Sequence, residues 1–422
     1  MRGDPGWCSP PGENRDGCDA HMILREAPPT SGLRPKWSDL IGAFRGPSNL
    51  EERIAEFLDV PEVQLECSGT ASLVIAFEYL KTLSRRRKVV IAGYTCPLVV
   101  LAAEQAGLRI AVCDTVRGGF DLDLTHLGKQ LDDETLCVVP THYGGALTDV
   151  DRVRCFIQAA SREIFVIEDA AQSFGAKYNG RPVGTAGHIG IFSFAAGKGF
   201  TLYEGGCLYG ETPEIRRGLR ETSTRLRNHK RLLELRRSLE LLAYHFLYNP
   251  LCLSFVYGGP RRYWLKRNDP IRAIGDYFTG PIPLHKVGSW RRKVGCQALS
   301  RLRDHLDRTR DRFDALSDQL ERACPEISTH SPAEGYQPTG SFVFVTFTSG
   351  KACDEALRVL WSLGSGVSRL FACAIDEYPY LSGRITSTTT NASDLARRTL
   401  IISTSEMMEE RQLGAIYRAI RS

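Results

Sequence analysis

Between about residues 50 and 210, short apolar runs alternate with longer segments whose apolar residues recur at helical spacing. The runs VQLE, KVVIAG, LRIAVCD, TLCVVP and IFVIED are rich in β-branched residues and bounded by Gly, Pro and Asp. Segments such as TASLVIAFEYLKTL and DVDRVRCFIQAAS, lying between them, carry the 3.6-residue period of a helix. This alternation predicts an α/β domain built on a largely parallel sheet. Such sheets bind ligands at the carboxyl ends of their strands.

The pattern breaks after residue 212. Residues 213–285 read as basic helices around an apolar, aromatic stretch, LLAYHFLYNPLCLSFVYGG. A long amphipathic helix follows, and the remaining chain alternates strand and helix as a small α+β domain. The organisation expected is a large domain at 22–212, a helical insertion at 213–285, and a connecting helix with a small C-terminal domain at 286–422. Residues 1–21 are rich in Gly, Pro, Asp and Asn and read as a disordered tail, which makes Met22 an alternative start.

Composition narrows the class. The chain of 422 residues is 42% hydrophobic and 24% charged, as in an ordinary soluble protein. A net charge of +5 is too mild to indicate nucleic acid, and no zinc-finger or RNA-binding motif occurs. The 13 cysteines form no CxxC pair and no metal-ligand cluster, so no metal is expected. Reduced cysteines and no signal-peptide pattern predict a cytoplasmic protein.

Candidate chemistry gathers at strand ends. Ser68-Gly69-Thr70-Ala71 ends one strand and opens a helix, where free N–H groups and the helix dipole suit a phosphate. Asp169 ends another strand, with Gln172 close behind. Ser193 ends a third, and Lys198 follows between Gly197 and Gly199. A lysine for a Schiff base, an acid for a pyridine nitrogen and an anion cradle are the parts that pyridoxal phosphate needs. Phosphate motifs of other classes fit worse: AAGKGF lacks the upstream Gly and following Ser/Thr of a P-loop, and GTAGHIG lacks dinucleotide-fingerprint spacing.

CSGTASL, THYGGALTDVDRV, the block from VIEDAAQSFGA through FSFAAGKGFTLYEGG, and RLRNHK resemble the DegT/DnrJ/StrS sugar aminotransferases. That family has the fold-type I pyridoxal phosphate architecture: a large, mostly parallel sheet flanked by helices and a smaller C-terminal α+β domain. The resemblance implies that Lys198 is the Schiff-base lysine and proton shuttle, and that Asp169 holds the pyridine nitrogen. Gln172 is implied at the ring oxygen, with Gly69, Thr70, the Ala71 amide and Ser193 at the phosphate. His142 is implied near the cofactor or substrate. A homodimer with shared active sites is also implied, with glutamate as the usual donor and a keto-sugar, nucleotide-linked in many relatives, as acceptor.

Two positions depart from the family pattern. Cys96 stands where relatives place an aromatic that stacks on the ring, so Tyr94 is a candidate substitute. In SWRRKVGCQAL, Trp290 replaces an Asn, so Arg291 or Arg292 is expected to reach a partner's phosphate. Residues 232–268, apolar with basic flanks, suggest a helical lid, an extended dimer interface or peripheral membrane contact at an inner membrane face. Alternative activities are other pyridoxal phosphate chemistry on the same fold, including keto-cyclitol or amino-acid transamination and sugar dehydration. A cofactor-binding regulator without turnover is a further alternative.

Overall fold

The computed structural model describes residues 25–160, 162–228 and 230–421. The expected tail at 1–21 and the alternative start at Met22 lie outside the described residues. The main sheet of the large domain holds seven strands among the described residues: β1 (Gln64–Glu66), β2 (Lys88–Ala92), β3 (Arg109–Cys113), β4 (Thr135–Val139), β5 (Phe165–Asp169), β6 (Ile189–Ser193) and β7 (Gly206–Gly210). They lie in the order β1-β7-β6-β5-β4-β2-β3. Neighbours from β3 through β6 are parallel, and β7 runs antiparallel between β6 and β1. Val89, Val90, Val138, Val139, Val166 and Ile167 are all fully buried, as expected for a sheet covered on both faces.

Helix α1 (Trp37–Gly42) precedes this sheet, and α2 (Gly69–Leu83) leaves the end of β1. Ser68 caps α2 by accepting the Ala71 N–H at 3.0 Å. Helix α3 (Pro213–Leu226) packs on α2 and sinks Ile215 and Leu219 into the same core. Residues 213–226 therefore complete the large domain, and the chain departs only afterwards. Arg227 marks the exit, pairing with the buried Glu66 at 2.7 Å.

The insertion proper runs through α4 (Arg231–Leu247), a helical arm from Pro250 to Leu265 with a π-helical turn at Ser254–Gly258, and α5 (Pro270–Ile274). Glu234 of α4 reaches Arg291 on α6 (Ser289–Leu299), and Leu265 and Ile274 pack on the small-domain core. The insertion thus touches both domains. Helix α7 (Leu302–Ala323) leads to the small domain, whose strands β8 (Ile327–Thr329), β9 (Phe342–Phe347), β10 (Val367–Ser368) and β11 (Thr399–Ser403) pair antiparallel in the order β8-β9-β11-β10.

Candidate active site

The carboxyl ends of β2, β5 and β6 and the start of α2 open onto one cavity of about 370 Å³. Gly69, Thr70, Cys96, Asp169, Gln172, Ser193 and Lys198 all line it. Residues distant in sequence share a wall because each follows a strand of one sheet. Lys198 lies in the loop between β6 and β7. Gly197 takes φ +79°, a left-handed conformation that glycine adopts without strain, whereas a Cβ at Gly199 would meet nothing. The lysine loop is pinned from an unexpected direction: Thr30 donates its hydroxyl to the Gly197 carbonyl at 2.6 Å, and the Leu33 N–H bonds Gly199 O at 3.0 Å.

Burial sets the ionisation of the cavity. It lowers the Lys198 amine to about 8, against a smaller opposing pull from Cys96, Asp169 and Asp276. It raises Asp169, whose Oδ1 accepts the Ala171 N–H at 3.0 Å, and the nearby Lys198 acts in the opposite sense. It pushes the Cys96 thiol up to about 12. The cavity therefore offers an amine close to neutrality, a carboxylate poor in hydrogen bonds and an inert thiol.

The donor set fits pyridoxal phosphate. The amides of Gly69 and Thr70 open α2 and have no intrahelical partner. A Cβ on Gly69 would sit 2.8 Å from the Ser193 Cβ, so the glycine keeps the helix end bare beside the serine hydroxyl. Asp169 faces the same cavity with a carboxylate suited to a cationic ring nitrogen.

Several expected residues are placed elsewhere. The Ala71 amide is used by its Ser68 cap, and the residue is fully buried off the cavity wall. His142 lies behind β5, with its Nε2 2.9 Å from Glu168 Oε1. Its Nδ1 faces the Thr148 N–H at 3.4 Å, which puts the ring proton on Nε2. Glu168 also accepts the amides of Gly184, Ala186 and Gly187, so His142 completes a buried carboxylate cradle, and Thr141 takes its place on the cavity wall. Tyr94 turns into an aromatic core with Phe120, Tyr143 and Phe371; of these, Phe371 is the ring that reaches the cavity.

Arg291 and Arg292 are also drawn away. Arg291 is fully buried, its Nε 2.7 Å from Glu234, and it donates to the carbonyls of Leu202 and Glu204. Arg292 pairs with Glu51. The Arg291 guanidinium is thus consumed inside the chain, away from the role expected for it, whereas half-buried Arg292 is held through one nitrogen.

The insertion supplies a residue that sequence reasoning missed. Asp276, just beyond α5, is 6% exposed and lines the cavity. Its Oδ2 accepts the Tyr378 hydroxyl at 2.6 Å and the Ala372 N–H at 2.8 Å. Its backbone carbonyl accepts the Tyr380 hydroxyl at 2.5 Å. Burial raises its carboxyl to about 6 despite those donors.

The family model for the DegT/DnrJ/EryC1/StrS aminotransferase family matches residues 36–237 of the chain. GDP-perosamine synthase of Escherichia coli O157:H7 is 30% identical over 156 residues, which are 37% of this chain and 42% of that protein. The chain thus spans about two fifths of the length of that curated relative. Among solved structures, DesI with its TDP-sugar product matches with a TM-score of 0.72 at 18% identity, covering 94% of this chain and 92% of that one. Spr1654 of Streptococcus pneumoniae, solved in its PMP form, gives 0.70 at 16% identity, covering 92% and 97%. The fold is that of these enzymes, and the segment matched by the family model carries the cavity's strand-end residues.

Proposed function

We propose that the protein is a pyridoxal phosphate-dependent aminotransferase. It takes the amino group from an amino acid such as glutamate and delivers it to a keto-sugar, nucleotide-linked, in amino-sugar, polysaccharide or antibiotic biosynthesis. The observation that carries this is the meeting of the Lys198 amine, the Asp169 carboxylate and the bare start of α2 in one cavity. When bound, the cofactor supplies an aldehyde that engages amines and a ring that withdraws electrons. With the cofactor bound, Lys198 would hold that aldehyde, and its Nζ would carry a proton to and from the substrate. An amine near neutrality suits both tasks, because it is a nucleophile and a base at working pH. Asp169 keeps the ring nitrogen protonated, and the cation relieves the cost of its buried charge. The Gly69 and Thr70 amides with the Thr70 and Ser193 hydroxyls hold the phosphate.

Asp276 sits on the substrate side of this reading. Tyr378 and Ala372 occupy Oδ2, and among the described residues Oδ1 has no hydrogen-bond partner. A fixed carboxylate with one free oxygen accepts a bond from a sugar hydroxyl and disfavours an acidic acceptor. Lys198 is the only Lys or Arg lining the cavity among the described residues. A phosphate and a nucleotide need further cations, which supports a homodimer whose second chain completes each site.

The test follows the cofactor spectrum through separated half-reactions. Glutamate should convert the loaded enzyme to its amine form, and one member of a nucleotide-linked keto-sugar panel should return it. Exchange with neither, or a spectrum indifferent to Lys198→Ala, defeats the proposal.

A further inference from the structure

Exposed large hydrophobic side chains of the described residues concentrate on two neighbouring segments. Helix α1 exposes Trp37 and Ile41, and Phe44, just past its end, is 75% exposed. Helix α4 exposes Leu232, Leu235 and Leu239, the first by 84%, at a spacing of three and four residues that puts them on one face. Trp37 joins the segments, its ring 5.2 Å from Phe246 near the end of α4. The chain then bends by 112° between Arg231–Leu247 and Pro250–Leu265, and the corner exposes Leu251 and Phe255. Among the described residues no single helix is long and apolar enough to cross a membrane; this bent pair passes only as two arms together. Two short amphipathic arms meeting at an exposed apolar corner suit a position within an interface.

The charges on this face are one-sided. Lys36, Arg45, Arg231, Arg236, Lys266 and Arg267 are exposed. The acids of the same segments pair with arginines: Asp39 with Arg301, Glu234 with Arg291, and Glu240 with Arg237 and with Arg236 itself, so the unpaired excess on this face is cationic. Residues 250–268 contain no acid at all. A second copy meeting this face across a two-fold axis would set cations against cations. A water-facing role leaves a contiguous apolar patch unexplained. An anionic lipid surface answers both features.

We propose that α1 and residues 231–267 form a docking face for an anionic lipid surface, with apolar side chains entering the interface and cations meeting lipid phosphates. The test is sedimentation of the full chain with vesicles of phosphatidylcholine containing phosphatidylglycerol, against phosphatidylcholine alone. The wild type should bind the anionic vesicles at least ~10-fold more tightly than the neutral ones. A Leu232→Gln, Leu235→Gln, Leu239→Gln variant should lose at least ~10-fold of that binding. Arg231→Glu with Arg236→Glu should do likewise, and carries the test alone if the triple variant fails to fold. A thermal melt and cofactor spectrum like the wild type's show that a variant is intact. Equal binding by wild type and variants overturns the proposal, as does absence of binding to anionic vesicles. So does a wild-type dimer that ignores vesicles and falls to monomers in the triple variant, which assigns the face to a second copy.

Discussion

The strand ends and the insertion build two walls of one cavity by different means. On the strand-end wall, Asp169, Ser193 and Lys198 take their places from a parallel sheet whose register is set by buried Val and Ile. On the insertion wall, Asp276 follows a helix of five residues and is held by tyrosines from the small domain. The first wall is rigid because of its own core. The second is rigid only while two domains and the insertion stay together. Chemistry common to a family suits the first kind of wall, and recognition particular to one chain suits the second.

That contrast sets the scale of what substitutions should do. Lys198→Ala on the strand-end wall should lower turnover by about 10⁴-fold, read by single-turnover kinetics, because it removes both nucleophile and proton carrier. Glu234→Gln tests what anchors the insertion. It leaves the fully buried Arg291 without its charge partner, and should cost about 3–5 kcal/mol in a denaturant melt. Burial pushes Glu234 up, yet its bonds to Arg291 and the neighbouring His285 ring outweigh this and hold it at about 2 against an ordinary 4.5. Its contribution is therefore present above pH 4.5 and lost as pH falls toward 2, so the deficit of Glu234→Gln should shrink on acidification.

Asp276→Asn should act on one half-reaction. The keto-sugar step should lose roughly 10–100-fold in kcat/KM, while the glutamate step changes by less than about twofold. In the wild type the keto-sugar KM should rise as pH drops below about 6, where Asp276 takes up a proton. Equal losses in both steps would put Asp276 with the common machinery and erase the contrast. The smallest effect belongs to Thr30→Ala, which removes one bond to the lysine loop and should cost about 1 kcal/mol in a thermal melt.

The strand-end wall was legible in sequence because each of its parts is local. A β-branched run ending in Asp169, or a Ser-Gly-Thr opening a helix, predicts its own geometry without knowledge of the remaining fold. The residues placed elsewhere fail for the opposite reason. Arg291 belongs to a segment expected to reach a phosphate, but Glu234, 57 residues earlier, captures it. His142 follows a strand end, yet Glu168 points to the opposite side of β5 from Asp169 and draws the imidazole with it. Tyr94 neighbours the cavity in sequence and is pulled into an aromatic core built partly from the small domain. Asp276 carried no signal, since its surroundings come from Ala372, Tyr378 and Tyr380, about a hundred positions away. Thr30 was silent for the same reason.

The insertion that carries Asp276 to the cavity also carries α4 and the bent arm to the surface. If the outer face binds lipid and the inner residue binds sugar, the two equilibria share one segment, and whatever ordering one event induces the other need not supply again. Any coupling of this kind is reciprocal. A vesicle that tightens sugar binding by some factor obliges the sugar to tighten vesicle binding by that same factor, so one titration measures what the other predicts.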